Sequence, residues 1–272
     1  MQGLLLIPWF RLEPIVFEIG SRQISVWPFR ITVGLAFLII MGAAVLFARH
    51  HHRSVHKTLD LAIAGSLFAI PFAVLFALLQ YHPASLAMLW RDPSRLSELP
   101  LGWSSYGAMA GGSIGAMLWK LRTKGSLFEI GDCFAFALPF GLAMARLGCF
   151  LVKDHPGRIS HFALAVADYQ TPFPPFAPRH DLGLYESLTS LGVALLLLAL
   201  SRAPRKPGFY IGLVAILLPL IRFLLDFLRA EYAEGGDARY QGLTLGQWVA
   251  GAIVLFGIAI TRHVWTSPAD AS

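Results

Sequence analysis

The residues in this chain that could do chemistry include arginines embedded in apolar sequence. Arg146 and Arg222 each lie inside a long apolar stretch, and a charge at the centre of a bilayer costs about 2.5–3.5 kcal/mol on insertion scales. Arg222, Asp226 and Arg229 are spaced i, i+4 and i+7, which predicts one shared helical face. Such a face would suit a row of salt bridges at the end of a helix. It would equally suit a binding site for an anionic lipid headgroup. In the second case Asp226 would orient one guanidinium to bind phosphate.

A dense polar turn follows Arg146. Asp154, His155, Gly157 and Arg158 come within twelve residues of it. An isolated arginine could place its charge at the membrane surface with its own long side chain. The polar residues just beyond it instead favour a site for a lipid phosphate.

Other candidates lie where apolar stretches begin. Tyr106 is either a residue of an interfacial aromatic belt or part of the site. Tyr185 and Glu186 either open a helix, with Asp181 as its N-cap, or bind substrate. The histidines at 50–52 and 56 lack a neighbouring cysteine or carboxylate cluster, so the sequence predicts no metal. No cofactor is expected.

Composition indicates what kind of protein positions these residues. Of 272 residues, 56% are hydrophobic and 14% are charged, which excludes an ordinary soluble domain and a disordered chain. The sequence predicts an all-α polytopic membrane protein with seven transmembrane helices. The predicted spans are residues 26–48, 59–79, 104–119, 131–151, 184–200, 208–227 and 245–260. The third is rich in small residues, so we expect other helices to pack closely around it.

The distribution of lysine and arginine predicts the topology. Four short segments, 49–58, 120–130, 201–207 and 261–272, hold 10 of these residues in 40 positions, whereas the other four hold 9 in 98. The denser segments should be cytoplasmic. This places the N-terminus outside and the C-terminus in the cytoplasm, with small extracytoplasmic caps at 80–103 and 152–183. The intramembrane arginines then lie near the outer face.

Five segments resemble one known family, the prolipoprotein diacylglyceryl transferases. The strongest match is Arg146-Leu147-Gly148-Cys149-Phe150, followed by Asp154 and by Gly157-Arg158. Residues 179–187 are similar to the family's His-Pro-x-x-Leu-Tyr-Glu segment, and residues 222–229 to its Arg-Phe-x-x-Glu-x-x-Arg segment. Residues 243–247 match the segment with which the family's last helix begins. Residues 12–15 match the early part of the family's sequence. The segments keep the family's order over nearly the whole chain.

The resemblance implies a multi-pass enzyme of the bacterial inner membrane, formed by one transferase domain over residues 1–272, with its active site near the outer leaflet. Such an enzyme moves the diacylglyceryl group of phosphatidylglycerol to the lipobox cysteine thiol of a prolipoprotein and releases glycerol phosphate. The implied partners are phosphatidylglycerol, the prolipoprotein signal peptide and membrane lipid, with no nucleic acid. The implied catalytic residues are Arg146, Arg222, Tyr106 and Asp154. The implied substrate-binding residues are Arg146, Gly157, Arg158, Tyr185, Glu186, Arg222, Asp226 and Arg229.

The chain departs from the family pattern at several polar positions. Tyr106 stands where the family has histidine, Cys149 where it has asparagine, and Val152-Lys153 where it has Asn-Gly. The general base that would remove the proton of the thiol is therefore one of three residues: Tyr106, His155 or Asp154. These departures also admit an alternative function, a catalytically silent relative that binds anionic lipid or a lipoprotein.

Overall fold

The computed structural model describes residues 6–19, 22–99, 102–169 and 177–266 and is mostly helical. Six helices in this part of the chain are long and apolar enough to cross a membrane. This confirms a polytopic helical membrane protein. The helices are α1 (Pro28–His50), α2 (Val55–Tyr81), α3 (Pro83–Arg91), α4 (Ser105–Thr123), α5 (Leu127–Val152), α6 (Leu182–Leu200), α7 (Phe209–Leu225) and α8 (Leu245–Thr266).

The predicted third span is a helix, but it is not one of the six. It corresponds to α4, whose 19 residues include Gly107, Gly111, Gly112 and Gly115. Glycine contributes little hydropathy, so a helix of this composition can be long enough to cross a bilayer and still be less apolar than its neighbours. The structure therefore supports six spans by length and composition.

Short strands accompany the helices, which the all-α prediction omitted. Within the described residues they form three small antiparallel sheets. The strands are β1 (Ile15–Ile19) with β2 (Arg22–Val26), β3 (Pro156–Ile159), β5 (Ala177–Asp181) and β4 (Val166–Tyr169) in that spatial order, and β6 (Arg239–Tyr240) with β7 (Leu243–Thr244). The first predicted span began at Val26, which is the last residue of β2. The helix itself begins at Pro28, where a fixed φ suits a first helical turn.

The described chain forms two compact units. One is Ala48–Gly131, and the other combines the residues before and after it. In the Ala48–Gly131 unit, α4 packs closely on α2, because its glycines leave no side chain between the two backbones. Side chains built on Gly107, Gly111 and Gly115 would overlap backbone carbonyl groups of Phe72, Phe68 and Ala64, respectively. The small-residue run therefore packs closely on one helix, α2, and the packing of other helices around it stays a prediction.

Replacing Gly111 with alanine is expected to lower the free energy of unfolding by about 1–3 kcal/mol, because the added methyl group would overlap the Phe68 carbonyl. Gly112→Ala is the matched control. Its new methyl group would have Ala69 Cβ as its nearest neighbour, at 3.9 Å. Thermal unfolding in detergent measures both variants. Equal shifts in the melting temperature would show that the α2–α4 contact does not limit stability.

In the other unit, buried contacts fix the helices that carry the polar residues. Phe47 of α1 stacks on Phe136 of α5 with ring centroids 4.4 Å apart. Asp132 is fully buried, and its carboxylate accepts hydrogen bonds of 2.9 Å from the backbone N–H groups of Gly208 and Ile211. A carboxylate there satisfies N–H groups at the start of α7 and complements the helix dipole. Asp132 thus ties the start of α7 to α5.

Candidate active site

Two arginines from different helices share one glutamate. Arg146 of α5 contacts Glu186 of α6, with Nε 2.7 Å from Oε2. Arg222 of α7 contacts the same carboxylate, with Nη1 2.6 Å from Oε1. These three residues form what we call the arginine–glutamate bridge. The sequence predicted that both arginines belong to one site, and the structure places them on the same carboxylate.

The bridge is a partly open cationic centre. The Glu186 side chain is 7% exposed, whereas those of Arg146 and Arg222 are 18% and 26% exposed. The two guanidinium groups and the one carboxylate together carry a formal charge of one positive unit. Charged hydrogen bonds to both carboxylate oxygens offset part of the desolvation penalty of Glu186. An anion of one unit charge would complete the neutralisation of this centre.

Local structure at the start of α6 places Glu186. The Asp181 carboxylate accepts a hydrogen bond of 3.0 Å from the N–H of Leu184, so Asp181 is the N-cap that the sequence predicted. Gly183 lies so close to α5 that an added Cβ would be 2.7 Å from the backbone nitrogen of Phe150. The first turn of α6 therefore lies against the end of α5, where it carries Glu186 to Arg146.

Gly246 leaves space beside Arg222. An added Cβ at this residue would lie 3.5 Å from Arg222 Nη2 and 3.3 Å from Asp226 Oδ2. The start of α8 therefore approaches the guanidinium with no side chain between them. From the sequence, this segment was predicted only as the entry to the last helix.

Asp226 and Arg229 form a buried pair, but not on a continuous helical face. The helix α7 ends at Leu225, and a 3-10 turn covers Asp226–Leu228. Arg229 Nε donates a hydrogen bond of 2.7 Å to Asp226 Oδ1, and Thr244 Oγ1 donates to Asp226 Oδ2. The predicted i, i+4, i+7 ladder is wrong in this respect, because the chain leaves the helix before Arg229. The guanidinium that Asp226 orients is that of Arg229, whereas the guanidinium of Arg222 contacts Glu186.

A capping box joins this pair to α8. The backbone N–H of Gln247 donates to Thr244 Oγ1 at 3.1 Å, and the N–H of Thr244 donates to Gln247 Oε1 at 2.9 Å. Gln247 also donates to the carbonyl of Phe223 at 3.1 Å. Asp226 thus takes part in a network that connects the end of α7 to the start of α8. Binding of substrate by Asp226 or Arg229 stays a prediction.

The turn after α5 brings a second set of polar atoms to Arg146. Its Nη1 lies 3.2 Å from His155 Nε2 and 3.8 Å from Cys149 Sγ. The other ring nitrogen of His155, Nδ1, forms a short hydrogen bond with the Asp154 carboxylate. His155 therefore connects two predicted site residues, Arg146 and Asp154. From the sequence, His155 was one of three possible general bases.

Cys149, Asp154 and His155 are also the described residues that are best placed to hold a metal ion. Their ligand atoms all lie within 4.8 Å of one another. However, Arg146 Nη1 contacts both the thiol and the imidazole, and its positive charge opposes a cation there. The arrangement instead suits hydrogen bonding and proton transfer.

Lys153, named above only as a departure from the family pattern, is a buried ammonium group. Its side chain is 1% exposed, and its Nζ lies 3.7 Å from Asp181 Oδ2 and 3.3 Å from the ring centroid of Phe150. Its φ of 56° is in the left-handed region that favours glycine. The resemblance expects glycine at this position, and a left-handed backbone is compatible with that expectation. Burial, partly offset by Asp181, lowers the pKa of Lys153 to about 8.

Lys153 is expected to make stability depend on pH. Because its pKa is lower in the folded than in the unfolded chain, the unfolded chain binds more protons between pH 8 and about 10.5. The free energy of unfolding should therefore rise by about 3 kcal/mol across that interval. Lys153→Met should lose this rise. Melting temperatures of both proteins from pH 7 to 10.5 test this, and parallel curves would contradict the assignment.

Gly157 fits between two backbone segments. A Cβ there would lie 2.6 Å from His180 Cβ and 2.8 Å from the carbonyl oxygen of Leu228. The buried Arg179 donates to the Gly157 carbonyl at 3.2 Å and forms two hydrogen bonds with Glu234, at 2.9 and 3.1 Å. The Arg179 hydrogen bond lowers the pKa of Glu234. Gly157 therefore allows β3, β5 and the segment after α7 to pack together, and the sequence analysis gave no signal for the role of Arg179.

The remaining predicted residues lie in different places. Tyr185 is buried, and its hydroxyl lies 2.8 Å from His180 Nδ1 and donates to the Leu164 carbonyl at 3.3 Å. Arg158 is exposed on β3 and lines a cavity of about 390 Å³ with Tyr232 and Arg239. Tyr106 lies in the first turn of α4, in the Ala48–Gly131 unit. Substrate contacts of these three side chains stay predictions.

Comparison with known proteins identifies the family of this chain. The model of the family described as prolipoprotein diacylglyceryl transferase matches residues 14–263. A protein of Pseudomonas putida (strain W619) named phosphatidylglycerol–prolipoprotein diacylglyceryl transferase is 27% identical over 97% of this chain and 100% of its own length. Proteins of the same name from Pseudomonas fluorescens strains Pf-5 and SBW25 are each 29% identical, over 94% and 97% of both chains, respectively. The chain belongs to the prolipoprotein diacylglyceryl transferase family.

Proposed function

We propose that this protein transfers the diacylglyceryl group of phosphatidylglycerol to the lipobox cysteine thiol of prolipoproteins and releases glycerol phosphate. The family match over residues 14–263 and the names of the relatives support diacylglyceryl transfer in lipoprotein maturation. The observation that carries the choice of an anionic donor is the arginine–glutamate bridge. It offers one net positive charge, and the phosphodiester of phosphatidylglycerol has one negative charge.

The bridge suits the charge changes of the reaction. A thiolate attacks the glycerol carbon that carries the phosphate ester, the carbon–oxygen bond breaks, and glycerol phosphate leaves with the electron pair. The phosphate thereby gains one negative charge. Arg146 and Arg222 would stabilise this gain, because fixed cations in a site of low dielectric act more strongly than ions in water. Glu186 would hold both guanidinium groups in place before the lipid binds, which lowers the cost of reorganisation.

The proposed topology places this chemistry at the outer leaflet. Four segments dense in lysine and arginine would face the cytoplasm, with the N-terminus outside and α4 supplying a seventh crossing. Arg146 near the end of α5, Glu186 near the start of α6 and Arg222 near the end of α7 would then lie at one depth. The protein would act as a single integral domain, residues 1–272, in the bacterial inner membrane.

A reconstituted assay tests the proposed function. The purified protein in phosphatidylglycerol vesicles is given a lipobox peptide, and the products are measured by mass spectrometry. We expect one diacylglyceryl group per modified peptide and one glycerol phosphate released with it. A peptide with serine in place of cysteine should stay unmodified, because an alcohol is a much weaker acid than a thiol.

The same assay distinguishes a catalytically silent relative. A silent protein would bind phosphatidylglycerol or the peptide and form neither product. Replacing phosphatidylglycerol with phosphatidylcholine tests the donor, since the zwitterionic headgroup carries no net charge to match the bridge. Equal transfer from both lipids would contradict the proposed choice of donor.

A further inference from the structure

His155 lies one hydrogen bond from the bridge. Its Nε2 is 3.2 Å from Nη1 of Arg146, which also contacts Glu186 through Nε. The side chain of His155 is 20% exposed and that of Asp154 is 42% exposed. A phosphate on Arg146 would therefore have the imidazole of His155 as a near neighbour. The reacting glycerol carbon is two bonds from the phosphorus of that phosphate.

The contacts of His155 define its protonation. A guanidinium N–H can only donate, so Nε2 must present its lone pair to Arg146. The proton of the neutral ring is then on Nδ1, where it is donated to the Asp154 carboxylate. This is the arrangement in which a carboxylate orients a histidine for proton transfer from a third group.

We propose that His155, oriented by Asp154, is the general base that takes the proton of the prolipoprotein thiol, and that lipid binding makes its Nε2 available. The inference rests on the proposed function. When the lipid phosphate accepts hydrogen bonds from Arg146, Nη1 no longer needs Nε2 as an acceptor. The thiol proton moves to Nε2, and the sulfur electron pair forms the bond to the glycerol carbon. The carbon–oxygen bond breaks, and its electron pair leaves on glycerol phosphate. The proton on Nε2 then passes to that phosphate or to water.

The charges that face His155 favour this step. The structure records contacts of the ring with Asp154, Cys149 and Arg146. Burial opposes the charged ring, whereas Asp154 and Cys149 favour it more strongly and raise the pKa of His155 above its usual value. The contact with Arg146 requires the neutral ring, so we assign the neutral form to the resting state shown here. The positive charge of Arg146 beside Nε2 opposes a charged ring, so the ring stays neutral until the lipid phosphate accepts the hydrogen bonds of Arg146. Asp154 then stabilises the imidazolium that forms when Nε2 takes the thiol proton.

The neighbouring groups suit the task less well. Asp154 alone would suit the task poorly, because a carboxylate is a much weaker base than the thiolate it would have to form. Cys149 is buried, and a diacylglyceryl group bound to its sulfur would be a stable thioether that could not pass to a second thiol. His155 has a suitable acceptor atom and a direct contact with the bridge.

The test uses His155→Gln in the reconstituted assay. The glutamine amide oxygen can still accept a hydrogen bond from Arg146, but it cannot take up a proton. At pH 7 we expect turnover to fall about 10²–10³-fold, with phosphatidylglycerol binding within about twofold of wild type. His161→Gln, in an exposed loop, is the matched control and should retain full activity. Asp154→Asn tests the positioning residue and should give a smaller loss of turnover.

A more acidic acceptor distinguishes a base from a structural residue. A peptide with selenocysteine in place of cysteine is already ionised at neutral pH and needs no base. The deficit of His155→Gln should then shrink to less than about tenfold, whereas that of Arg146→Gln should persist. Near-normal turnover of His155→Gln with the cysteine peptide, or an equal deficit with both peptides, would overturn the inference. Failure of the wild-type protein to transfer from phosphatidylglycerol would overturn the proposed function and the inference together.

Discussion

Arg146→Gln and Arg222→Gln are each expected to lower diacylglyceryl transfer by about 10²–10³-fold, or about 3–4 kcal/mol in activation free energy. Each change removes a positive charge from the place where the leaving phosphate becomes more negative. In both variants Glu186 also becomes a buried carboxylate with one arginine instead of two. The loss should therefore include a contribution from a distorted site.

Initial rates in the reconstituted assay measure these effects. Arg205→Gln is the control, because Arg205 is an exposed arginine whose guanidinium lies 5.1 Å from the ring of Phe209, at the start of α7. It should transfer at the wild-type rate. Arg146→Lys keeps the positive charge but removes the planar guanidinium group, which can bind two partners at once. This variant therefore distinguishes the effect of charge from that of shape. Wild-type rates for both glutamine variants would rule out the phosphate clamp.

Glu186→Gln is expected to lower transfer by about 10–100-fold while leaving the protein folded. The amide keeps the size of the side chain but lacks the charge that draws two guanidinium groups together. Arg146 and Arg222 would then repel each other at short range, and the site would be less organised before the lipid binds. The variant should also bind phosphatidylglycerol no more weakly than wild type, because its net positive charge is larger.

The split between binding and turnover is the informative readout for Glu186. A loss of turnover with retained lipid binding indicates that Glu186 positions the arginines. Glu18→Gln, on the exposed β1 strand, is the control with the same chemical change. If Glu186→Gln bound lipid and turned over like the control, the bridge would have no role in catalysis.

Local sequence rules predicted the parts of the site that depend on near neighbours. Asp181 was expected as the N-cap of the helix that carries Glu186, and the structure shows this cap. The small residues of α4 predicted a closely packed helix, because the absence of side chains is itself a packing signal. The apolar stretches likewise predicted the six long helices, since their length and composition follow from the bilayer.

The parts that depend on distant residues could not be predicted in this way. Glu186 joins Arg146 and Arg222 across three helices, and no spacing along the sequence encodes that contact. The end of α7 at Leu225 was missed, because Asp226 also contacts Thr244, eighteen residues away. The left-handed backbone of Lys153 is unusual for lysine, so only the resemblance to a family with glycine at this position gave a signal.

Binding of phosphatidylglycerol to the double variant Arg146→Gln/Arg222→Gln tests the central claim most directly. Native mass spectrometry can compare this lipid with diacylglycerol of the same acyl chains, which lacks the phosphate. We predict that the double variant binds phosphatidylglycerol at least about 30-fold more weakly than wild type and binds diacylglycerol equally well. Wild-type affinity of the double variant for phosphatidylglycerol would contradict the claim that these two arginines hold the lipid phosphate.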